Sequence, residues 1–574
     1  MYVFSFRHFL FFLCSVGLTL LAEPFRSNIA VQDQDFPQLP KPAPKRQADR
    51  VFVEEGKALV LLAPGEPLLG SSERSTAQGL VVIGLDLPGP TAKLARRLYP
   101  YYHNKKVSQS TIQEIKEQIE EFYQEYHHPF VLIEVPSQNV SEGVIQLVIV
   151  ETVVGTVKFK GQKWSNTKAL YDYLSLQPNQ PIQELEVYGD LNFFNQNPFR
   201  QADILYAPGT VPGTTDVTIN LNEKGPFRIY AGADNTGVET TGRERLYTGF
   251  NYANVFNLAH VFSFQFTSSY DFNKFKSYTG QYLAPLSWGH VLNLYGGYSM
   301  VHSDLPTPSM RSSGFNSQFS TRYNIPFLLS RYLEQEGFFG FDWKRLNNTV
   351  EFVDARPVFG QFVNITQLVF GYQGAYERNT YRFDFDATGY WSPGRIFSDQ
   401  TDENFMSLRP GAKNNWIYAR GDFVYVQKLP QNFSFSLTIA GQLSSAPLLP
   451  TDQYDLGGWD TVRGYEEHAY NADNAFLGRM ELRTAPYPLL FNKKNKRYSD
   501  AIQFLAFLDY GYGNNKIAVD PLPKSEYLLG IGPGVRYVID PWLSTRLDWG
   551  IKLHNADIFG GGSSMIHFGV TLSY

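Results

Sequence analysis

The chain has 574 residues, more than one ordinary soluble domain accounts for, so two or three units are expected. Its formal net charge of -5 and charged fraction of 18% leave no bulk basic field, which excludes nucleic acid as a partner. The single cysteine, Cys14, lies near the N-terminus, so the remaining chain carries neither disulfide nor thiol.

Residues 1–22 place Arg7 and His8 ahead of an apolar run from Phe9 to Leu21, followed by Ala22, the pattern of a secretory signal peptide. That run is short for a bilayer-spanning helix, and no stretch of about 18 apolar residues occurs elsewhere. An exported chain that is 43% hydrophobic crosses a membrane, if it does so at all, as a closed barrel of strands. Residues 23–79 read as a proline-rich linker or N-terminal extension, with FPQLPKPAPKRQ unable to bury a core. The part from 51 to 79 fits a strand or a helix equally and is left unassigned.

From Leu80 the pattern changes. LVVIGLDL reads as a strand, and 108–126 places Ile112, Ile115, Ile119, Phe122 and Tyr126 at helical spacing behind a Ser cap. FVLIEV and GVIQLVIVE follow as strands. The order then recurs with VVGTVKFKG, helices near 166–174 and 181–194, and the strands RQADILYAPG and TTDVTINLNE. The expectation is two α+β modules, 80–151 and 152–224, each ending in an open sheet edge. His127 and His128, near a helix end, cap or decorate it and have no cysteine partners for a metal.

Beyond residue 226 the helical pattern vanishes and alternation takes over. Phe262, Phe264 and Phe266 alternate with Ser263, Gln265 and Thr267; Tyr381, Phe383 and Phe385 alternate with Arg382, Asp384 and Asp386, which are read as wall residues of a polar lumen. Sixteen strands are expected, starting near 227, 245, 260, 275, 290, 314, 332, 362, 379, 416, 432, 475, 502, 525, 542 and 564. Connectors after even-numbered strands are mostly tight, and those after odd-numbered strands mostly longer. The connector 488–501, with its KKNKR, breaks that alternation. Short turns on one side, long loops on the other and an even strand count describe an outer-membrane barrel better than a soluble sandwich. In the last strand Ile566, Phe568, Val570, Leu572 and Tyr574 share one face, and the terminal aromatic suits a C-terminal barrel insertion signal made of Phe568, Val570, Leu572 and Tyr574. The fold class is therefore two periplasmic α+β modules followed by a 16-stranded antiparallel transmembrane barrel over 226–574.

Several stretches together make the chain resemble the two-partner-secretion outer-membrane transporters of the haemolysin secretion/activation family: the doubled module, NPFRQADILYAPGTVPGTTDVTINLNE leading into FRIYAGADNTGVETTGRERL, GGWDTVRGYEEHAY, and FLDYGYG. The resemblance covers roughly residues 80–574 and implies two POTRA-type modules before a sixteen-stranded pore. The family often adds a plug helix near the N-terminus, and residues 23–60 carry no clear amphipathic helix.

The connector 446–474 follows the eleventh strand and so belongs to the extracellular side. About eleven residues separate Arg463 from its C-terminal end, a reach of up to roughly 36 Å, more than the roughly 25 Å apolar band. The loop is long enough to fold into the lumen, which would otherwise leak. The resemblance implies that the arginine of the loop motif Val462, Arg463, Gly464 and Tyr465 pairs with the aspartate of the strand motif Phe507, Asp509 and Gly511. Gln503, Asp509, Gly511 and Gly513 share one strand phase, expected to face the lumen. The acidic residues Asp452, Asp455, Asp460, Glu466, Glu467 and Asp473 are expected to make a solvated loop surface and no cation site.

No nucleophile elbow, P-loop or zinc-binding motif occurs, so no catalytic, cofactor or metal residues are assigned and no enzyme is expected. The reading is an outer-membrane translocation pore that takes a partner exoprotein, large and β-helical in the family, from periplasm to surface without nucleotide hydrolysis. The modules capture an extended segment at a sheet edge, and the loop held by Arg463 and Asp509 sets the closed or open state. The expected partners are that exoprotein, the outer-membrane bilayer and, during biogenesis, the barrel-assembly machinery; the working unit is a monomer. Two other functions fit the same elements: an assembly factor of the same superfamily, which carries more modules, and a passive porin or receptor, which needs none.

Overall fold

The computed structural model describes residues 50–304, 310–330, 332–352, 362–490, 499–518, 523–555 and 562–574. The signal segment, residues 23–49 and the KKNKR run lie outside the described residues, and with them most of the stretch 23–60 where the family's plug helix would be sought.

The first module is built on a strand from the stretch 51–79, which the sequence leaves unassigned. Ala58–Leu62 is central in a four-stranded sheet, ordered 79–83, 58–62, 144–151, 131–134, and pairs parallel with both its neighbours. The linker expected over 23–79 is thus corrected in its second half. Ala58, Leu59, Val60, Leu61 and Leu62 are all fully buried, so both faces of this strand are covered and it shows no alternation. Helices Thr91–Tyr102 and Gln109–Glu125 pack Leu94, Leu98, Ile115, Ile119 and Phe122 onto one face of the sheet. Ser108 caps the second helix, its Oγ accepting from the Thr111 N–H at 3.3 Å.

The second module repeats the plan with Val153–Lys160, Thr214–Glu223 and Arg200–Pro208. His127 links the modules, facing Glu184 of the second at 3.4 Å, while His128 pairs with Glu151 of its own module. A short link, 224–226, leads into the barrel. Asn197 Nδ2 donates to the Ala253 carbonyl at 3.1 Å, Asn254 Nδ2 to the Trp164 carbonyl at 2.8 Å and the Tyr173 hydroxyl to the Leu258 carbonyl at 3.0 Å. The module is therefore docked on the periplasmic turn between the second and third barrel strands.

Within this module the Asp190 carboxylate accepts from the Ser175 N–H at 3.1 Å and hydroxyl at 2.8 Å. Burial nevertheless pushes its pKa up to about 6. A raised folded-state pKa gives stability that is complete under acid conditions and lost as pH rises through about 6. Residues 152–224 are expected to resist proteolysis better at about pH 5 than at about pH 7.5 in the intact protein, a difference Asp190→Asn should flatten. An unchanged difference in that variant would assign it elsewhere.

Sixteen antiparallel strands close the barrel, from Phe227–Asp234 to Ser564–Ser573. The twelfth to fifteenth are Asn474–Arg483, Ser499–Asn514, Ser525–Asp540 and Leu543–Lys552. At the seam Tyr230 pairs with Ser573 and Asp234 with Gly569. Phe504, Leu508, Tyr510 and Tyr512 point outward, whereas Gln503, Phe507 and Asp509 are buried inside. In the last strand Ile566, Phe568, Val570, Leu572 and Tyr574 face outward around a buried His567. The long turn before the thirteenth strand folds back, with Leu489 and Leu490 N–H groups donating to Asp500 Oδ2 at 2.8 and 2.7 Å.

Candidate functional site

Loop 445–473 enters the lumen as a small folded unit. Tyr454–Leu456 and Tyr470–Ala472 form a two-stranded hairpin. Tyr454, Leu456, Val462, Tyr465 and Tyr470 pack together and against Leu477 and Leu528 of the wall. An apolar core inside a polar barrel explains how a loop of this length holds one shape.

Arg463 sits at the tip with no exposed surface. Its Nε donates to Asp509 Oδ2 at 2.7 Å and its Nη2 to Asp509 Oδ1 at 2.8 Å, the two-pronged match of guanidinium to carboxylate. The Arg463 backbone N–H donates to the same Oδ2 at 3.1 Å, and Nη1 donates to Glu481 Oε1 at 2.6 Å. The guanidinium carbon lies 3.6 Å from the centre of the Phe507 ring. Around it, Arg479 Nε lies 3.5 Å from Asp509, Arg483 pairs with Glu481, and Arg536 pairs with Asp548 at 2.8 Å. The wall thus matches three carboxylates with three arginines of its own, and the loop supplies a fourth.

Glycines let the backbones meet. Gly464 has φ +100°, and its N–H donates to His567 Nε2 at 3.0 Å. A Cβ on Gly530 would lie 2.0 Å from the Arg463 carbonyl oxygen, and one on Gly550 would lie 2.2 Å from the Gly464 nitrogen. Gly511 leaves room for Val462, whose Cγ2 would be 2.8 Å from an added Cβ. The Tyr465 hydroxyl donates to the His554 carbonyl and accepts from the Leu529 N–H at 3.2 Å.

The acidic residues of the loop differ from the expected solvated surface. Asp452 and Asp473 are fully buried: Lys344 Nζ of the seventh strand donates to Asp452 Oδ1 at 2.6 Å, and Arg409 Nη2 donates to Asp473 Oδ2 at 2.9 Å. His468 lies 3.3 Å from Asp455, and Glu467 accepts from the Trp459 N–H at 2.8 Å. Lys344 and Arg409 stand 108 and 64 residues away from their carboxylates, on a strand and a second loop that this loop meets only after folding. Arg409 belongs to a second inward loop, 394–414, one of the longer connectors that follow odd-numbered strands. Its helix Asp402–Leu408 places Phe405 in a cluster with Trp416, Tyr418, Leu448 and Leu449. Asp402 and Glu403 behind Thr401, whose Oγ1 accepts from the Asn404 N–H at 3.2 Å, were its readable signal.

Arg382, Asp384 and Asp386 lie on the inward phase of the ninth strand, Arg382 pairing with Asp384 at 2.6 Å and Glu377 at 2.8 Å. Among the described residues no group of three or more His, Cys, Asp or Glu side chains is arranged to hold a metal.

A family model described as haemolysin secretion/activation protein ShlB/FhaC/HecB matches residues 213–537, more than half of the chain. The chain belongs to this family. A second model, POTRA domain of ShlB type, matches residues 85–152 of this chain. Among curated relatives, the heme/hemopexin transporter protein HuxB of Haemophilus influenzae (strain 86-028NP) is 23% identical over 453 residues, 76% of each chain. Outer membrane transporter CdiB-2 of Burkholderia pseudomallei (strain 1026b) is 20% identical over 485 residues, covering 81% of this chain and 77% of the relative. CdiB from Escherichia coli shares the fold with a TM-score of 0.73 at 15% identity, covering 94% of this chain and 93% of that one. CdiB from Acinetobacter baumannii does so with a TM-score of 0.64 at 16% identity, covering 93% of each. This ShlB/FhaC/HecB member is an outer-membrane transporter of the two-partner-secretion type, with its modules in the periplasm.

Proposed function

We propose that this transporter exports a large, β-helical partner as an extended chain, and that the loop clamped by Arg463 sets how much of the lumen is open. The observation that carries the reading is the buried contact of Arg463 with both Asp509 and Glu481, which fixes a folded loop inside the barrel. Capture begins at the open sheet edges 131–134 and 200–208, where Leu132 and Leu205 are exposed. An extended segment adds there as a further strand, its backbone pairing with the edge. One chain closes the whole pore, so a monomer suffices. A photo-reactive residue at Leu205 is expected to trap, in cells, the same protein that fails to reach the medium when the gene is removed. Trapping of many unrelated barrel proteins would point to an assembly role and sink the reading.

Phe568, Val570, Leu572 and Tyr574 serve, in this reading, as the strand that the barrel-assembly machinery takes up. Tyr574 also finishes the seam: it exchanges two backbone hydrogen bonds with Ile229, at 3.0 and 2.9 Å, and its ring lies 5.2 Å from that of Trp542. Deleting Tyr574 is expected to lower the folded, membrane-inserted fraction several-fold, measured by heat-modifiable migration of the outer-membrane protein. A full inserted fraction in the truncated chain would remove the residue from biogenesis.

A further inference from the structure

The lumen has two unlike sides. The hydrogen bonds and ion pairs of loops 394–414 and 445–473 run to Lys344 of the seventh strand, Thr366 of the eighth, Ser392 of the ninth, Arg420 of the tenth, Gln442 of the eleventh and the charged wall of the twelfth to sixteenth, and Glu466 pairs with Arg243 between the first two strands. The inward phase of the third to sixth strands, His260–Ser269, Phe275–Pro285, Val291–Asp304 and Met310–Ser330, is of another chemistry. One registered row crosses it as Thr267, Ser277, Ser299 and Asn316, and the next as Gln265, Thr279, Gly297 and Gln318. Neither row contains a charge. The charges beside them are already matched: Lys344, registered with Gln318, donates to Asp452 of the loop at 2.6 Å, and Arg322 pairs with Asp342 at 2.7 Å.

These side chains are enclosed, yet they keep unused hydrogen-bonding capacity. Ser277 Oγ, Ser299 Oγ, Asn316 Oδ1 and Gln318 Oε1 are buried without a hydrogen-bond partner. Buried polar atoms are satisfied as a rule, so a cluster of spare ones on the inward phase of the barrel marks a surface that completes its bonds with something other than the wall once it is uncovered. Four strands at about 4.8 Å spacing make a strip roughly 14 Å wide, enough for an extended chain.

We propose that this neutral strip is the track along which the exported polypeptide slides, while the loop stays clamped to the opposite, charged wall. The inference rests on the export reading above and adds the path and its chemistry. An unfolded polypeptide presents a backbone N–H and C=O at every residue whatever its sequence. Hydroxyl and amide side chains both donate and accept, so they meet that backbone without reading it. A fixed charge would hold each opposite charge that passed and repel each like one. A charge-free track therefore lets any sequence through.

The test places charge on the track. Ser299→Asp and Ser299→Lys are each expected to lower the partner in the medium at least tenfold, with barrel abundance and heat-modifiable migration unchanged. Loss with both signs supports the track. Normal export by the folded variants, or loss with one sign only, overturns it. Should either variant fail to fold, a photo-reactive residue at Gln318 decides: capture of the partner supports the track, and no capture while partner still reaches the medium overturns it. If the unmutated chain exports no protein at all, the export reading fails, and the track falls with it.

Discussion

Replacing Asp509 with Ala is expected to abolish export more completely than replacing Arg463 with Ala. The count of charges around the clamp decides the order. Without Arg463, Asp509 keeps Arg479 at 3.5 Å, Glu481 keeps Arg483, and Asp548 keeps Arg536. Each wall carboxylate is still matched, so the barrel inserts, and what is lost is the loop's grip. Breaking a buried pair of this kind costs about 3–5 kcal/mol, or roughly two to three and a half powers of ten in the clamped-to-free ratio. Without Asp509, four guanidinium groups face two carboxylates, and Arg463 is left buried beside Arg479 with Glu481 already shared. Like charges then push the loop out and strain the wall as well. Arg463→Lys should behave like Arg463→Ala, because an ammonium cannot match both Asp509 oxygens and reach Glu481. Partner in the medium, normalised to inserted barrel, is the readout: at least tenfold lower in Arg463→Ala and lower still in Asp509→Ala. Equal export by both variants and the unmutated chain would remove the clamp from the mechanism.

Gly550→Ala is expected to match Arg463→Ala although it changes no charge. The new Cβ would lie 2.2 Å from the Gly464 nitrogen and 2.5 Å from its Cα, both backbone atoms. No rotamer relieves such a contact, so the tip must rise off the wall. Overpacking alone costs about 1–3 kcal/mol. Here the shift also breaks the 3.0 Å bond from the Gly464 N–H to His567 and pulls Arg463 off Asp509, so the loss grows beyond that range. Gly530→Ala should act alike, through its 2.0 Å approach to the Arg463 carbonyl oxygen. Gly280→Ala is the control, since its Cβ would find nothing nearer than 3.9 Å. Export by Gly550→Ala at the level of Gly280→Ala would contradict the close approach.

The barrel was legible because lipid and lumen impose opposite demands on successive residues. Phe262, Phe264 and Phe266 had to face outward, and the strand starts read from such runs lie within about four residues of those observed. The inward phase of Asp509 was legible for the same reason, and the resemblance supplied its partner. What escaped has no local signal. Ala58–Leu62 is buried on both faces and so never alternates. Asp452 looked solvated because Lys344 comes 108 residues earlier, on a wall the sequence does not bring near it. The glycine floor does leave a trace: Gly511, Gly513, Gly530 and Gly550 stand on the inward phase, where a polar side chain is the rule, and glycine inside a strand marks close approach by another backbone.

The most direct measurement compares the culture-medium and outer-membrane proteomes of cells with and without this gene. Loss of one large protein from the medium, with the outer-membrane profile otherwise unchanged, is the predicted result. Broad depletion of barrel proteins from the membrane, or no change in either fraction, would contradict export of a dedicated partner through this pore.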